Sequence, residues 1–508
     1  MPMARTLLLT GNDLTREQFH QVVLEKRRVG LAPRARTAME RSRAQVEQLI
    51  RQQKVVYGVT TGFGALSTER IEPEQAQQLQ LNLVRSHACG VGEPLGEAET
   101  RGILLLRANA LAKGLSGVRP QVVEFLCEFL NRGVHPVIPS RGSVGASGDL
   151  APLAHVALAL IGEGEVEFRG RKLSARRALQ AMGRAPLALE AKEGLALLNG
   201  TQAMLSLGLL ALRQAENLVD TADVAGALSL DALRGSLVPF DERFHRARPH
   251  PGALITARNI RRLNRGSAIH ASHRDCGRVQ DAYSLRCLPQ VHGAVRDALA
   301  YAARVFEIEM NSATDNPLVF AEDEEVISGG NFHGQPLAIA LDLMAIALTQ
   351  LGSISERRVD RLVNPLTSEL PAFLTRAHGL ESGFMMAQVT AAALASENKV
   401  LAHPASIDSI PTSGNKEDYV SMGMAAALKL PPLLKNVAAI LAIELLAAAQ
   451  ALDLLLPLRT GRLGEKAKAQ VRKISPPLRA DRRLDRDIAR TAGLVRAGEF
   501  ARILTESH

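Results

Sequence analysis

Four stretches in the C-terminal half constrain this chain more than any other feature. Residues 295–310, 333–360, 384–402 and 420–456 repeat apolar side chains at helical spacing around most of the circumference, and the longest exceed twenty residues. A helix apolar on most faces cannot be left against water, so these stretches must pack inside a bundle or against other subunits. The stretch 436–456 comes nearest to a membrane span, but it carries Glu444, Gln450 and Asp453. It reads as a buried core helix, and no membrane association is expected. The breaks between these stretches fall at Thr314-Asp-Asn-Pro317, Ser328 to Pro336 and His403 to Tyr419. With 46% hydrophobic residues among 508, the chain can build a large core. The expected fold class is mainly α: a long central helical bundle over 201–508 and a smaller, mostly helical N-terminal part over 1–200, interlocked rather than independent.

The chemistry points to a different place. Arg141-Gly-Ser-Val-Gly-Ala-Ser-Gly-Asp-Leu-Ala-Pro-Leu-Ala-His155 is rich in glycine and then turns apolar. Asp149 reads as a helix N-cap, with Pro152 tolerated in the first turn. No Lys follows, so this is not a phosphate-cradling loop, and no acidic ribose partner in a βαβ setting makes it a dinucleotide site. Ser147 is followed by Gly148-Asp149, so the pattern Gly-x-Ser-x-Gly is also missed. What remains is a tripeptide able to cyclise. The amide nitrogen of Gly148, unhindered by a Cβ, can attack the carbonyl carbon of Ala146. Loss of that oxygen as water, and of the Ser147 hydroxyl with its Cα hydrogen as a second water, leaves a ring with an exposed methylidene. That group is an electrophile among side chains that are otherwise nucleophiles. On residue types alone, a plain loop-to-helix turn stays open beside it.

Other segments carry candidate groups whose local reading is bland or functional. Val55-Val56-Tyr57 reads as a short strand entering the loop Gly58 to Gly64, and Tyr57 as either a packed aromatic or a site residue. His87 closes the helix 72–86 and complements its dipole by default. Asn199 before Gly200 is ordinary turn chemistry. Gln280, Tyr283 and Arg286 lie three apart, so one or two helical turns align them as a pocket lining or an exposed face.

Bulk properties narrow the partners. Lys plus Arg is 61 against 52 Asp plus Glu, a net +9, but the charges are interleaved and spread along the chain. The densest basic stretch, 243–274, has no aromatic stacking pattern, so a nucleic-acid partner is not expected. Cys89, Cys127, Cys276 and Cys287 show no paired metal-ligand spacing, so no metal is expected and the thiols read as reduced in a cytoplasmic protein. Leu7-Leu8-Leu9 is too short for a secretion signal.

The string around Ser147 closely resembles the signature of the aromatic amino acid ammonia-lyases, and further matches, nearest to the histidine-acting branch, run from about Tyr57 to Tyr419. The resemblance implies a fumarase/aspartase-like helical architecture and a homotetramer with active sites built from loops of three subunits. It implies a methylidene-imidazolone formed autocatalytically from Ala146, Ser147 and Gly148, with no external cofactor. By the same resemblance Tyr57 and Tyr283 are catalytic tyrosines, and Asn199 and Arg286 hold the substrate carboxylate. Gln280 and Phe332 line the pocket, and His87 and Glu417 face the imidazole end or the reacting centre. The implied reaction is loss of ammonia from L-histidine, giving trans-urocanate. A tyrosine or phenylalanine lyase, or an aminomutase, is the near alternative, and a non-catalytic helical assembly protein the remote one.

The implied chemistry is physically coherent. A tyrosine base of ordinary pKa near 10 is only about 0.1% ionised at pH 7, and making it half-ionised there takes about 4 kcal/mol from nearby cations and hydrogen bonds. A guanidinium fork such as Arg286 suits a carboxylate. Within the family, Ser86-His87 goes with histidine, where tyrosine lyases tend to have His-Leu and phenylalanine lyases Phe-Leu. Leu288 and Lys416 stand where histidine lyases usually or often have Gln, and Tyr419 where they often have His. These departures bear on rate and pH optimum.

Overall fold

The structure is a computed structural model that describes residues 5–58, 60–62, 64, 69–273, 277–377 and 379–505. Cys276, named above, and residues 59 and 63 of the loop Gly58 to Gly64 lie outside the described residues. The chain is mainly helical, as expected, and divides into two compact units. One comprises Met1–Leu210, Ala303–Asp342 and Pro404–Leu428, and the other Ala211–Ala302, Leu343–His403 and Lys429–His508. The long helices Gln202–Ala232, Leu288–Met310, Gln335–Val363 and Gly423–Leu454 each contribute residues to both.

In the first unit the helix Glu97–Ala112 is buried on every side from Thr100 onward, which explains its near-continuous apolar run. Small sheets flank it. Glu165–Phe168 forms a strand paired with Val134–Pro136 and, through a tight hairpin, with Arg171–Ser174. Arg169 and Gly170 both take positive φ there (54° and 72°), the backbone that matches strand twist in a two-residue turn. The expected strand at Val55-Val56-Tyr57 does not form. Thr60 N donates to Val56 O at 3.0 Å and Thr60 Oγ1 accepts from Val56 N at 2.9 Å, so the chain reverses before a ladder can start.

In the second unit the apolar helices enclose a charged network. Glu444 is fully buried, and its carboxylate accepts both arms of Arg358 (2.5 and 2.8 Å) and the hydroxyls of Ser229 and Ser355 (2.7 and 2.5 Å). Each charge is thus paired and hydrogen-bonded, which makes its burial tolerable. Among the described residues, two helices, Gln335–Val363 and Gly423–Leu454, are long and apolar enough to cross a membrane, yet their most apolar windows are 67% and 83% buried within the protein.

Candidate active site

The loop 142–149 follows the strand Pro139–Arg141 and is fastened to three other loops. Met422 N donates to Val144 O (2.8 Å), while Ser421 Oγ and Gly334 N donate to Gly145 O (2.8 and 3.1 Å). Asn199 Nδ2 donates to Ser147 O (2.9 Å), and Asp149 N donates to Gly200 O (2.6 Å). Gly148 takes φ +73°, and a Cβ added to it would lie 2.1 Å from Gly200 O, a distance no side chain tolerates. Two glycine backbones therefore lie flush against each other, and residue 148 must be glycine.

Asp149 does precede the helix Leu150–Leu160, but its side chain makes no capping bond there. Its carboxylate instead accepts from Ala203 N (2.9 Å) and Met204 N (3.0 Å) at the start of Gln202–Ala232, and from Ser143 Oγ (2.8 Å). It caps a helix fifty residues downstream, so local sequence predicts the wrong recipient. Complete burial pushes its pKa up to about 6 against the pull of these three bonds.

Ser147 opens onto a cavity of about 710 Å³ that Tyr57, His87, Asn199, Phe332 and Glu417 also line. Glu417 accepts from Ser147 Oγ at 2.5 Å and from Thr412 Oγ1 at 2.7 Å. Tyr57 is anchored by Gly64 N, which donates to its hydroxyl oxygen at 3.3 Å. His87 ends the helix Ala76–His87, and its Nδ1 lies 2.9 Å from Leu83 O, which assigns that nitrogen the proton and leaves Nε2 a lone pair. Burial holds its pKa below the usual histidine range, against the opposing pull of Leu83 O and the Glu417 charge. A second cavity of about 410 Å³ shares Tyr57, Ser147, Phe332 and Glu417 and adds Ala146, Lys416 and Tyr419. Tyr419 stacks on His333 with ring centres 6.2 Å apart.

Two contributors escaped sequence reasoning. Asn316 lines both cavities, its Oδ1 held by Ser328 Oγ (3.0 Å) and Gly329 N (2.8 Å). Its one sequence signal is its place in the break Thr314 to Pro317. Arg107 is fully buried behind Asn199 and donates to its carbonyl at 3.1 Å. An arginine in the middle of Ile103-Leu-Leu-Leu-Arg-Ala-Asn-Ala was its signal.

Gln280, Tyr283 and Arg286 belong to the second unit and line neither cavity. The helix there is the single turn Tyr283–Arg286, so Gln280 stands before it rather than on a shared face. Tyr283 is 70% exposed, with the Arg286 guanidinium 4.4 Å above its ring. Leu288 is buried core of the same unit.

The family and the relatives that this chain matches make it a carbon–nitrogen lyase. The chain belongs to the aromatic amino acid lyase family, whose model matches residues 14–473. A histidine ammonia-lyase of Koribacter versatilis (strain Ellin345) is 59% identical, covering 98% of this chain and 99% of the relative. Among solved structures, the histidine ammonia-lyase from Trypanosoma cruzi superposes with a TM-score of 0.91 at 43% identity, over 99% of this chain and 95% of that one. The tyrosine aminomutase from Streptomyces globisporus gives a TM-score of 0.94 at 42% identity, over 99% and 98%.

Proposed function

We propose that this chain eliminates ammonia from L-histidine to give trans-urocanate. The observation that carries the reading is the position of Ser147 Oγ, 2.5 Å from Glu417 Oε1, in the cavity that His87 also lines. Ala146, Ser147 and Gly148 suit closure into the methylidene-imidazolone: the Gly148 nitrogen has no Cβ beside it, and Gly200 and Asn199 hold both flanks. Once formed, that group supplies an electrophile for the substrate amine.

The other residues bind, orient and move protons. In this reading Tyr57, pinned by Gly64 N, takes the β-hydrogen. In the same reading Asn199, already bonded to Ser147 O, links the electrophile to the substrate carboxylate. His87 Nε2 accepts and Glu417 binds the ring nitrogens of the substrate. A phenyl ring leaves His87 Nε2 without a partner and gives Glu417 none beyond Thr412, which disfavours phenylalanine by about tenfold or more. Arg286, Tyr283 and Gln280 are proposed to complete the site from neighbouring copies in a homotetramer, which accounts for their absence from the cavities and for the exposure of Tyr283. A cytoplasmic location suits such an enzyme.

The test is turnover of purified protein with histidine, tyrosine and phenylalanine, read by the separate absorption of each conjugated product, with chromatography for β-amino acids. Urocanate as the dominant product is expected. Coumarate, cinnamate or a β-tyrosine product would replace the substrate assignment, the last favouring the aminomutase reaction. Ser147→Ala should fold and lose activity, and turnover near the parent's would remove the electrophile from the reading.

A further inference from the structure

Arg107 lies in the middle of the helix Glu97–Ala112 and is fully buried. The buried carboxylate it senses, Asp315, is 2.7 Å from Lys192 Nζ, which leaves Arg107 to bond neutral acceptors. Nη1 donates to Asn199 O (3.1 Å), Gln202 Oε1 (2.9 Å) and Thr314 O (3.3 Å), and Nη2 donates to Ala196 O. These acceptors belong to three segments: the end of the helix Glu193–Leu198, the start of Gln202–Ala232, and the loop leading to Asn316. The carbonyls at a helix C-terminus carry partial negative charge, so a cation there is favoured. Burial still lowers the guanidinium pKa to about 10, a cost that a purely packing side chain would not incur.

What lies above the guanidinium gives it a purpose. A Cβ on Gly200 would stand 2.1 Å from Arg107 Nη1, and a Cβ on Gly148 would stand 2.1 Å from Gly200 O. Arg107, Gly200 and Gly148 are thus layered with no side chain between them. The same guanidinium holds the carbonyl of Asn199, whose amide holds Ser147 O. We propose that Arg107 is a positioning residue for electrophile formation, setting the 196–200 turn and the Thr314 loop against which the Ala146–Gly148 tripeptide closes. The inference rests on the cyclised reading of that tripeptide. In that closure the Gly148 nitrogen bonds the Ala146 carbonyl carbon, whose oxygen leaves as water with the amide hydrogens of Ser147 and Gly148. Ser147 then loses its hydroxyl and Cα hydrogen as the second water. A fork is needed because a lysine presents a single point charge and cannot span acceptors in three segments.

The experiment compares parent, Arg107→Lys and Arg107→Met by intact mass, circular dichroism and steady-state kinetics. The parent is expected to be two waters lighter than its sequence. Both variants should keep the helical spectrum, since Lys retains a buried cation beside the same carbonyls and Met fills the volume with no charge to desolvate. A large share of each variant should retain one or both waters. Their kcat should fall by about 100-fold, the effect of a displacement near 1 Å, while KM stays within about threefold because the chains that do close still bind normally. Variants that are fully dehydrated, with parental kcat, would overturn the role of Arg107. So would failure of both variants to fold, because the proposal holds that the fold survives the loss. A parent whose mass equals its sequence would instead overturn the cyclised reading itself.

Discussion

Replacing Gly148 with Ala tests the layered backbone most directly. The new Cβ would meet Gly200 O at 2.1 Å, Gly200 C at 2.4 Å and Gly200 N at 2.7 Å, all backbone atoms that no rotamer change can clear. Reaching ordinary contact near 3.4 Å requires a retreat of about 1 Å, which breaks the Asp149 N to Gly200 O bond of 2.6 Å. Holding a non-glycine residue at φ +73° costs a further 1–2 kcal/mol or so. With about 1 kcal/mol for the lost hydrogen bond, the expected destabilisation is about 2–3 kcal/mol, small for a chain of 508 residues that should remain folded. The functional loss is larger, because Asn199 is adjacent to the displaced Gly200 and a misplacement near 1 Å at a reacting centre costs about 100-fold. The assay is intact mass together with product absorbance on the folded variant. A Gly148→Ala protein that has lost both waters and turns over at the parent's rate would refute the steric argument.

Two further perturbations follow. His87→Phe should shift kcat/KM away from histidine toward phenylalanine or tyrosine by about tenfold or more, and an unchanged preference would make His87 a structural residue. In the parent, burial keeps the His87 pKa below 6.5, so the ring is neutral at pH 7 and its protonation limb in kcat/KM lies on the acid side of 6.5. A limb above pH 6.5 that vanishes in His87→Phe contradicts this assignment. Asp149→Asn addresses stability: the folded carboxyl keeps its proton up to about pH 6 against an ordinary 3.8, so ionising it weakens the parent as pH rises through that window. The shift is equivalent to about 3 kcal/mol in full, and about half of that separates pH 5 from pH 8. The variant should therefore gain about 1.5 kcal/mol on the parent between those pH values in urea unfolding. A pH-independent difference would show that the buried carboxylate is not under strain.

Much of this protein can be read from its sequence, because helical periodicity and turn chemistry act between neighbours in the chain. The long helices were legible in that way, as were the breaks between them and the glycine spacing around Ser147. Tyr57, His87, Asn199 and Glu417 entered the candidate site through resemblance to a family, since each alone also reads as packing or turn. Where pairing is long-range, local reading failed. Val55-Val56-Tyr57 has strand composition, but Thr60 turns it back on itself. Asp149 sits before one helix and caps another, because its carboxylate bonds free N–H groups of a distant segment rather than those of its own helix. Gln280, Tyr283 and Arg286 have the spacing of a shared face, but the helix there is the single turn Tyr283–Arg286 and Gln280 stands before it. Arg107 and Asn316 gain their roles only when Thr314, 207 residues along the chain from Arg107, comes within hydrogen-bond reach of its guanidinium. A buried charge must find acceptors wherever folding brings them, and which carbonyls those are is set by the packing of helices, not by the order of residues.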